Sequence, residues 1–93
     1  MIIWKWTLQA DREQTVVMPT GAKILSLQAQ HDKPQIWALV DEDAPTELRK
    51  FVTYETGHPF PSPIDCGRFI GTYQVHGGSL VFHVFDQTGS GKN

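Results

Sequence analysis

Apolar and polar positions alternate with a period of two through most of the chain, which predicts strands rather than helices. In the opening segment Ile2, Trp4, Trp6 and Leu8 fall on one face and Ile3, Lys5 and Thr7 on the other. This is the pattern of a half-buried strand, and it places both tryptophans in the core. The polar run from Gln9 to Gln14 turns the chain into a second strand, Thr15 to Met18, which Pro19 stops.

Residues 21–41 read as a hairpin around His31-Asp32-Lys33-Pro34. A four-residue loop there sets Gln30 opposite Gln35, Ala29 opposite Ile36 and Leu27 opposite Ala38. That register gathers Leu25, Leu27, Ala29, Ile36, Ala38 and Val40 on one apolar face. Ile24, Ser26, Gln28, Trp37, Leu39 and Asp41 form a mixed face behind it.

Residues 41–47 are acidic and turn-like, with Asp43 placed to cap a short helix as the alternative. The Val, Thr, Phe and Tyr content of residues 48–56 predicts another strand. The closing hairpin is the clearest signal: two alternating segments flank Gly77-Gly78, a pair that supplies the positive φ angles of a two-residue turn. Val75 then faces Leu80, Tyr73 faces Phe82, and Gly71 faces Val84, with Phe69 at the end of this apolar face. Ile70, Thr72, Gln74, His76, Ser79, Val81, His83 and Phe85 lie behind it, Thr72 directly across from His83.

Short strands with frequent turns define the fold class as all-β. The expected architecture is a small antiparallel β-sandwich or partly open barrel of about seven strands with little or no helix. The domain spans residues 1–87, and the apolar-poor residues 88–93 read as a flexible tail.

Composition narrows the function classes. The chain has 93 residues and a formal net charge of −2, with acids and bases interspersed. It is long enough for one core, and its charge balance argues against general nucleic-acid binding. A single cysteine cannot form an internal disulfide, so a cytoplasmic location is the default expectation. No segment reaches the roughly 18 apolar residues of a membrane helix, and no secretory leader is evident.

Motifs for chemistry are weak. His58, Cys66, His76 and His83 lack metal-ligand spacing, and on the predicted hairpin His76 and His83 lie roughly 13 Å or more apart. Cys66 has no elbow or adjacent base around it, and Asp41, Glu42, Asp43 and Glu47 read as a solvated loop rather than a catalytic pair. The segment Thr88-Gly89-Ser90-Gly91-Lys92 mimics part of a phosphate loop, but Asp86 stands where the first glycine is required. No catalytic residue, metal or cofactor is therefore expected.

Ligand-contact candidates come from the mixed faces and from the stiff segment between two strands. Trp37 lies opposite the apolar layer and is a natural binding anchor. His83 either hydrogen-bonds Thr72 or contacts a ligand beside Gln74. Pro59, Pro61 and Pro63 restrict the residues before them and withhold three backbone donors, so residues 57–67 predict a polyproline-like connector pinned by Phe60 and Ile64. His58 and Arg68 stand at its two ends. The expected ligand contacts are Trp37, His58, Arg68, Gln74 and His83, with Lys5, Lys23, Arg49, Lys50 and Arg68 as candidate partners of an anion.

The Ile-Trp-Lys-Trp opening, the hairpin of residues 21–41, the Thr56-Gly57-His58-Pro59-Phe60-Pro61 loop and the closing hairpin together resemble a family of short, largely uncharacterised proteins of phage and bacterial genomes. The resemblance covers nearly all of residues 2–86 and carries no catalytic motif. It implies a small phage or prophage accessory protein of the host cytosol. By analogy with that genomic class, such a protein acts by binding.

Two expectations follow. The first is a non-enzymatic protein that binds a nucleotide-like host defence signal at a junction between subunits of a homo-oligomer. The alternative is a protein–protein module that docks Trp37 and its surroundings on a host protein, inhibiting it or serving as a structural adaptor. A small hydrolase with His58 or His83 as general base is the weakest reading.

Overall fold

The computed structural model describes residues 1–10, 12–60 and 67–88. Its strands are β1 (Ile2–Thr7), β2 (Glu13–Pro19), β3 (Lys23–Gln30), β4 (Lys33–Val40), β5 (Thr46–Glu55), β6 (Arg68–Val75) and β7 (Leu80–Asp86). They form two antiparallel sheets, a three-stranded one in the order β1-β4-β3 and a four-stranded one in the order β2-β5-β7-β6. The result is the expected all-β sandwich with an open edge. No helix longer than the three-residue 3-10 turn His76–Gly78 occurs among the described residues.

The inward faces of the two sheets meet in a core whose largest fully buried side chains are Phe51, Met18, Ile36, Val40 and Val84. The sheets approach most closely where β6 passes β3. A Cβ placed on Gly71 would lie 3.4 Å from Leu27, in van der Waals contact, so this corner leaves little room for anything larger than a methyl group. Strand β5 is buried on both faces from Phe51 to Tyr54. Phe51 and Thr53 point to the core, while Tyr54 on the outside is stacked on Phe60 at 4.4 Å and meets Phe85 edge-on at 6.0 Å.

Several registers depart from expectation. The β3–β4 turn is His31–Asp32 alone, with φ of 53° and 63°, so Gln30 pairs with Lys33, Ala29 with Pro34, and Leu27 with Ile36. Asp tolerates the left-handed region, and both residues occupy it as a tight turn of the primed type requires. Pro34 is admitted because its carbonyl accepts from Leu8 N–H at 2.8 Å, which puts its nitrogen on the β1 side, past the last β1–β4 pair, Thr7 with Gln35. The shift is by two residues, so the faces survive it.

Two bulges do change faces. The β3–β4 register shifts between Ile24 and Ser26, and the β6–β7 register between Phe69 and Gly71. Ile24 and Ile70 thereby turn toward the core, while Leu25 and Phe69 are exposed, the reverse of the alternating pattern. Trp6 packs against the core, but Trp4 is 40% exposed, because β1 is an edge strand whose inward face is only partly covered.

The closing hairpin has the expected pairs Val75–Leu80, Tyr73–Phe82, Gly71–Val84 and Thr72–His83. Four residues connect it rather than two, and His76 shares the positive φ with Gly77 and Gly78. Residues 41–44 form a turn closed by Ala44 N–H to Asp41 O, not a helix. Thr88, which the sequence assigns to the tail, accepts a hydrogen bond from Lys50 N–H. The expectations for Pro61, Pro63, Ile64, Cys66 and residues 89–93 lie outside the described residues.

Candidate functional site

The two bulges sit at the β3–β6 corner, and together they shape a cleft of about 220 Å³. Leu25 and Ile70, the residues at the register shifts, both line it, as does Phe69. Displacing one residue from each strand opens space that a regular ladder would fill. The polar lining is Lys23, Arg49, Arg68 and Asp86, with Ser26 beside them.

Arg49 is the structural cation of this group. By the alternation of β5 it points to the same side as Phe51. Its Nη1 donates to Ala22 O at 2.9 Å and its Nη2 to Asp86 Oδ2 at 2.6 Å, with Glu47 farther away at 3.8 Å. One guanidinium therefore ties β5 to the turn before β3 and to the end of β7. Both partners are nearly buried, with side-chain exposures of 10% and 11%, so the pair is only weakly screened by solvent.

Burial alone would raise the pKa of the Asp86 carboxyl. The hydrogen bonds from Arg49, from the Thr88 hydroxyl and from Thr88 N–H, together with the Arg49 charge, outweigh it and hold the carboxyl below its ordinary value. Asp86 is thus an anion with both oxygens engaged, Oδ2 by Arg49 and Oδ1 by Thr88 N–H at 2.8 Å. Arg68, directly opposite Asp86 in the β6–β7 ladder, is left without a carboxylate partner among the described residues, as is Lys23. Once the Arg49–Asp86 pair is discounted, the cleft keeps the positive charge of Lys23 and Arg68.

The residues expected to contact a ligand are dispersed over different parts of the molecule. Arg68 lines the cleft, together with Lys23 and Arg49 from the wider set of cations. Gln74 and His83 lie on the outer face of the four-stranded sheet. Gln74 is exposed, and His83 is held between Thr72 Oγ1 on Nδ1 at 2.9 Å and Thr56 Oγ1 on Nε2 at 2.7 Å. The two contacts hold the ring between β6 and the residue that follows β5.

His58 sits beyond the end of β5, its backbone N–H bonded to Glu55 O and its ring 3.7 Å from the Glu55 carboxylate. It borders a shallower depression with Arg12, Thr53 and Phe82. Trp37 is half-buried on the outer face of the three-stranded sheet, opposite Lys5. The outer faces of the two sheets of a sandwich look in opposite directions, so Trp37 cannot share a ligand with His83 and Gln74 within one chain.

Sequence reasoning missed Phe69 and Asp86. Alternation alone puts Phe69 on the inward face, because nothing in the apolar pattern marks a bulge; the one available signal is the isolated Gly71 in a strand. Asp86 lies far from Arg49 in sequence, and only the ladder between β5 and β7 brings them together.

Among the described residues no group of three or more His, Cys, Asp or Glu side chains is placed to hold a metal ion. No described helix is long and apolar enough to cross a membrane. A family model described as a domain of unknown function (DUF7352) matches residues 1–93. No curated protein and no solved structure matches the chain.

Proposed function

The chain belongs to the DUF7352 domain family, which brings no activity with it, and from the site we propose a non-enzymatic binding protein for a small phosphorylated, nucleotide-like ligand. The observation that carries this reading is the cleft of the β3–β6 corner, where Lys23 and Arg68 face an opening without carboxylate partners among the described residues. Arg68 suits the planar, bidentate geometry of a phosphate, and Lys23 adds a point charge. Exposed Phe69 offers a flat apolar surface beside them for a base.

The volume fits an anionic head group better than a whole drug-sized molecule, so the remainder of the ligand lies along Phe69 and Leu25. The resemblance to short phage and prophage proteins supports sequestration of a host defence signal in the host cytosol.

The test is a thermal-shift and calorimetric series with inorganic phosphate, linear mononucleotides and cyclic nucleotides. A ligand at ten times its Kd raises Tm by about 7 °C. Arg68→Ala and Lys23→Ala each weaken binding about tenfold or more while leaving the unliganded Tm nearly unchanged. Absence of any shift at millimolar nucleotide rules the reading out.

A second reading, docking on a host protein, is favoured by the aromatic outer face of the four-stranded sheet. There Phe60 and Phe69 are exposed and both meet Phe85 edge-on, at 5.5 and 5.4 Å. Retention of a host protein on the wild-type chain, abolished by Phe69→Ser and indifferent to Arg68→Ala, is the result that selects it.

A further inference from the structure

The molecule has four sheet edges, and they are not equivalent. Strands β3 and β6 each carry a bulge and lie close to one another at the cleft corner. Strand β2 ends in Pro19. Strand β1 has no bulge and no proline and, among the described residues, pairs with β4 alone. It is also apolar on both faces, with Ile2 44%, Ile3 55% and Trp4 40% exposed. A regular edge with exposed large apolar side chains is a template for another strand.

Its one charge does not protect it. Lys5 Nζ donates to Gln30 Oε1 at 3.1 Å, and Gln30 lies on β3, beyond β4. The ammonium is thus drawn back over its own sheet and away from the edge.

The direction of the backbone groups follows from a single bond. Leu8 N–H donates to Pro34 O, so Leu8 turns its backbone toward β4. In an antiparallel ladder the residues at every second position do the same. Trp6, Trp4 and Ile2 therefore bond β4, and Thr7, Lys5 and Ile3 present their N–H and C=O groups to the open edge.

We infer that β1 pairs antiparallel with β1 of a second copy about a two-fold axis at Trp4, which joins two three-stranded sheets into one continuous sheet. A two-fold axis normal to the sheet sets a residue opposite itself and keeps each face on its own side. Centring it on Lys5 would set two lysines directly opposite one another, and centring it on Ile3 would match only Ile2 to Trp4 of β1 with the second strand. Centred on Trp4, the register sets Trp4 against Trp4 and Ile2 against Trp6 on the inward face. It sets Ile3 against the aliphatic stem of Lys5 on the outer face. Ile3 and Lys5 are also residues whose backbone groups point outward, so each cross-copy pair exchanges both its hydrogen bonds. The segment is self-complementary in side chains and in backbone, which identifies the occupant as a second copy of this chain. The inference does not depend on what the cleft binds.

Sedimentation equilibrium from micromolar to near-millimolar concentration tests it. The wild-type chain is expected to be a concentration-dependent dimer. Ile3→Glu faces Lys5 of the second copy and Ile3→Lys repels it, so Ile3→Glu dimerises at least about tenfold more tightly than Ile3→Lys. The double variant Ile3→Lys, Lys5→Glu restores the dimer. Ile3→Pro removes an edge donor without touching a bond to β4, and gives a folded monomer. Because Ile3 is exposed, the charge variants fold whether or not the proline variant does, which circular dichroism checks. A wild-type chain that stays monomeric throughout overturns the inference and leaves the edge to a strand of another protein. A dimer equally sensitive or insensitive to Glu and Lys at position 3 also overturns it.

Discussion

Asp86 accepts from Arg49 on one oxygen and from Thr88 N–H on the other, and the Arg49 guanidinium it holds also bonds Ala22 O. Replacing it with asparagine leaves a nearly buried arginine with only the more distant Glu47 carboxylate as counter-charge, at a cost of about 3 kcal/mol near neutral pH. Folding lowers the pKa of this carboxyl below its ordinary 3.8. Its contribution is therefore complete above about pH 5 and is lost as pH falls through the folded-state value. Urea unfolding from pH 7 to pH 3 should show the wild type losing its advantage over Asp86→Asn as acid is added; a constant difference across that range contradicts the assignment. Individual residues were legible where alternation alone decides, as for Leu8, Val75 and Val84, all buried. Trp4 was not, since its face is inward but its strand is an edge, and edge position is a property of pairing order rather than of local pattern.

At the level of elements, the β3–β4 hairpin shows what local chemistry can and cannot reveal. Two residues without glycine's freedom hold positive φ at His31 and Asp32, each at some conformational cost. Replacing His31-Asp32 with Asn-Gly, the pair preferred in such turns, should raise stability by about 1 kcal/mol without moving the register. Equilibrium denaturation measures the gain, and a loss would mean that these side chains hold the turn in some other way. The faces of this hairpin were readable because a two-residue shift preserves them. The bulges in β3 and β6 were not, because one extra residue reverses the half-strand beyond it. Those reversals make the cleft, so the strands were legible, their ends only to within about two residues, and the site between them was not.

The whole molecule is a slab, with principal extents of 40 × 36 × 16 Å. A body one sandwich thick has little room for an enclosed cavity, so a ligand must enter at a corner or an edge. The corner depends on the close passage of β6 over Leu27 at Gly71. Gly71→Val would force the sheets apart and cost about 2 kcal/mol, measurable by urea denaturation; unchanged stability would show that the corner is free to widen. The five sequence candidates were reasonable one by one, but which outer face each sheet presents is fixed only when the sheets are stacked. That step separated Trp37 from His83 and brought Lys23 of β3 to Arg68 of β6.

The tryptophan pair of β1 has a further consequence. Trp4 and Trp6 lie with ring centroids 6.0 Å apart at 60° to each other. Two indoles so close and so inclined couple their electronic transitions, and the coupling gives a paired band of opposite sign in the ultraviolet dichroism. Its sign and size depend on the angle between the rings and hence on the twist of this one strand. The protein carries an intrinsic optical gauge of its most exposed edge, one that reports any strand laid against it without a label.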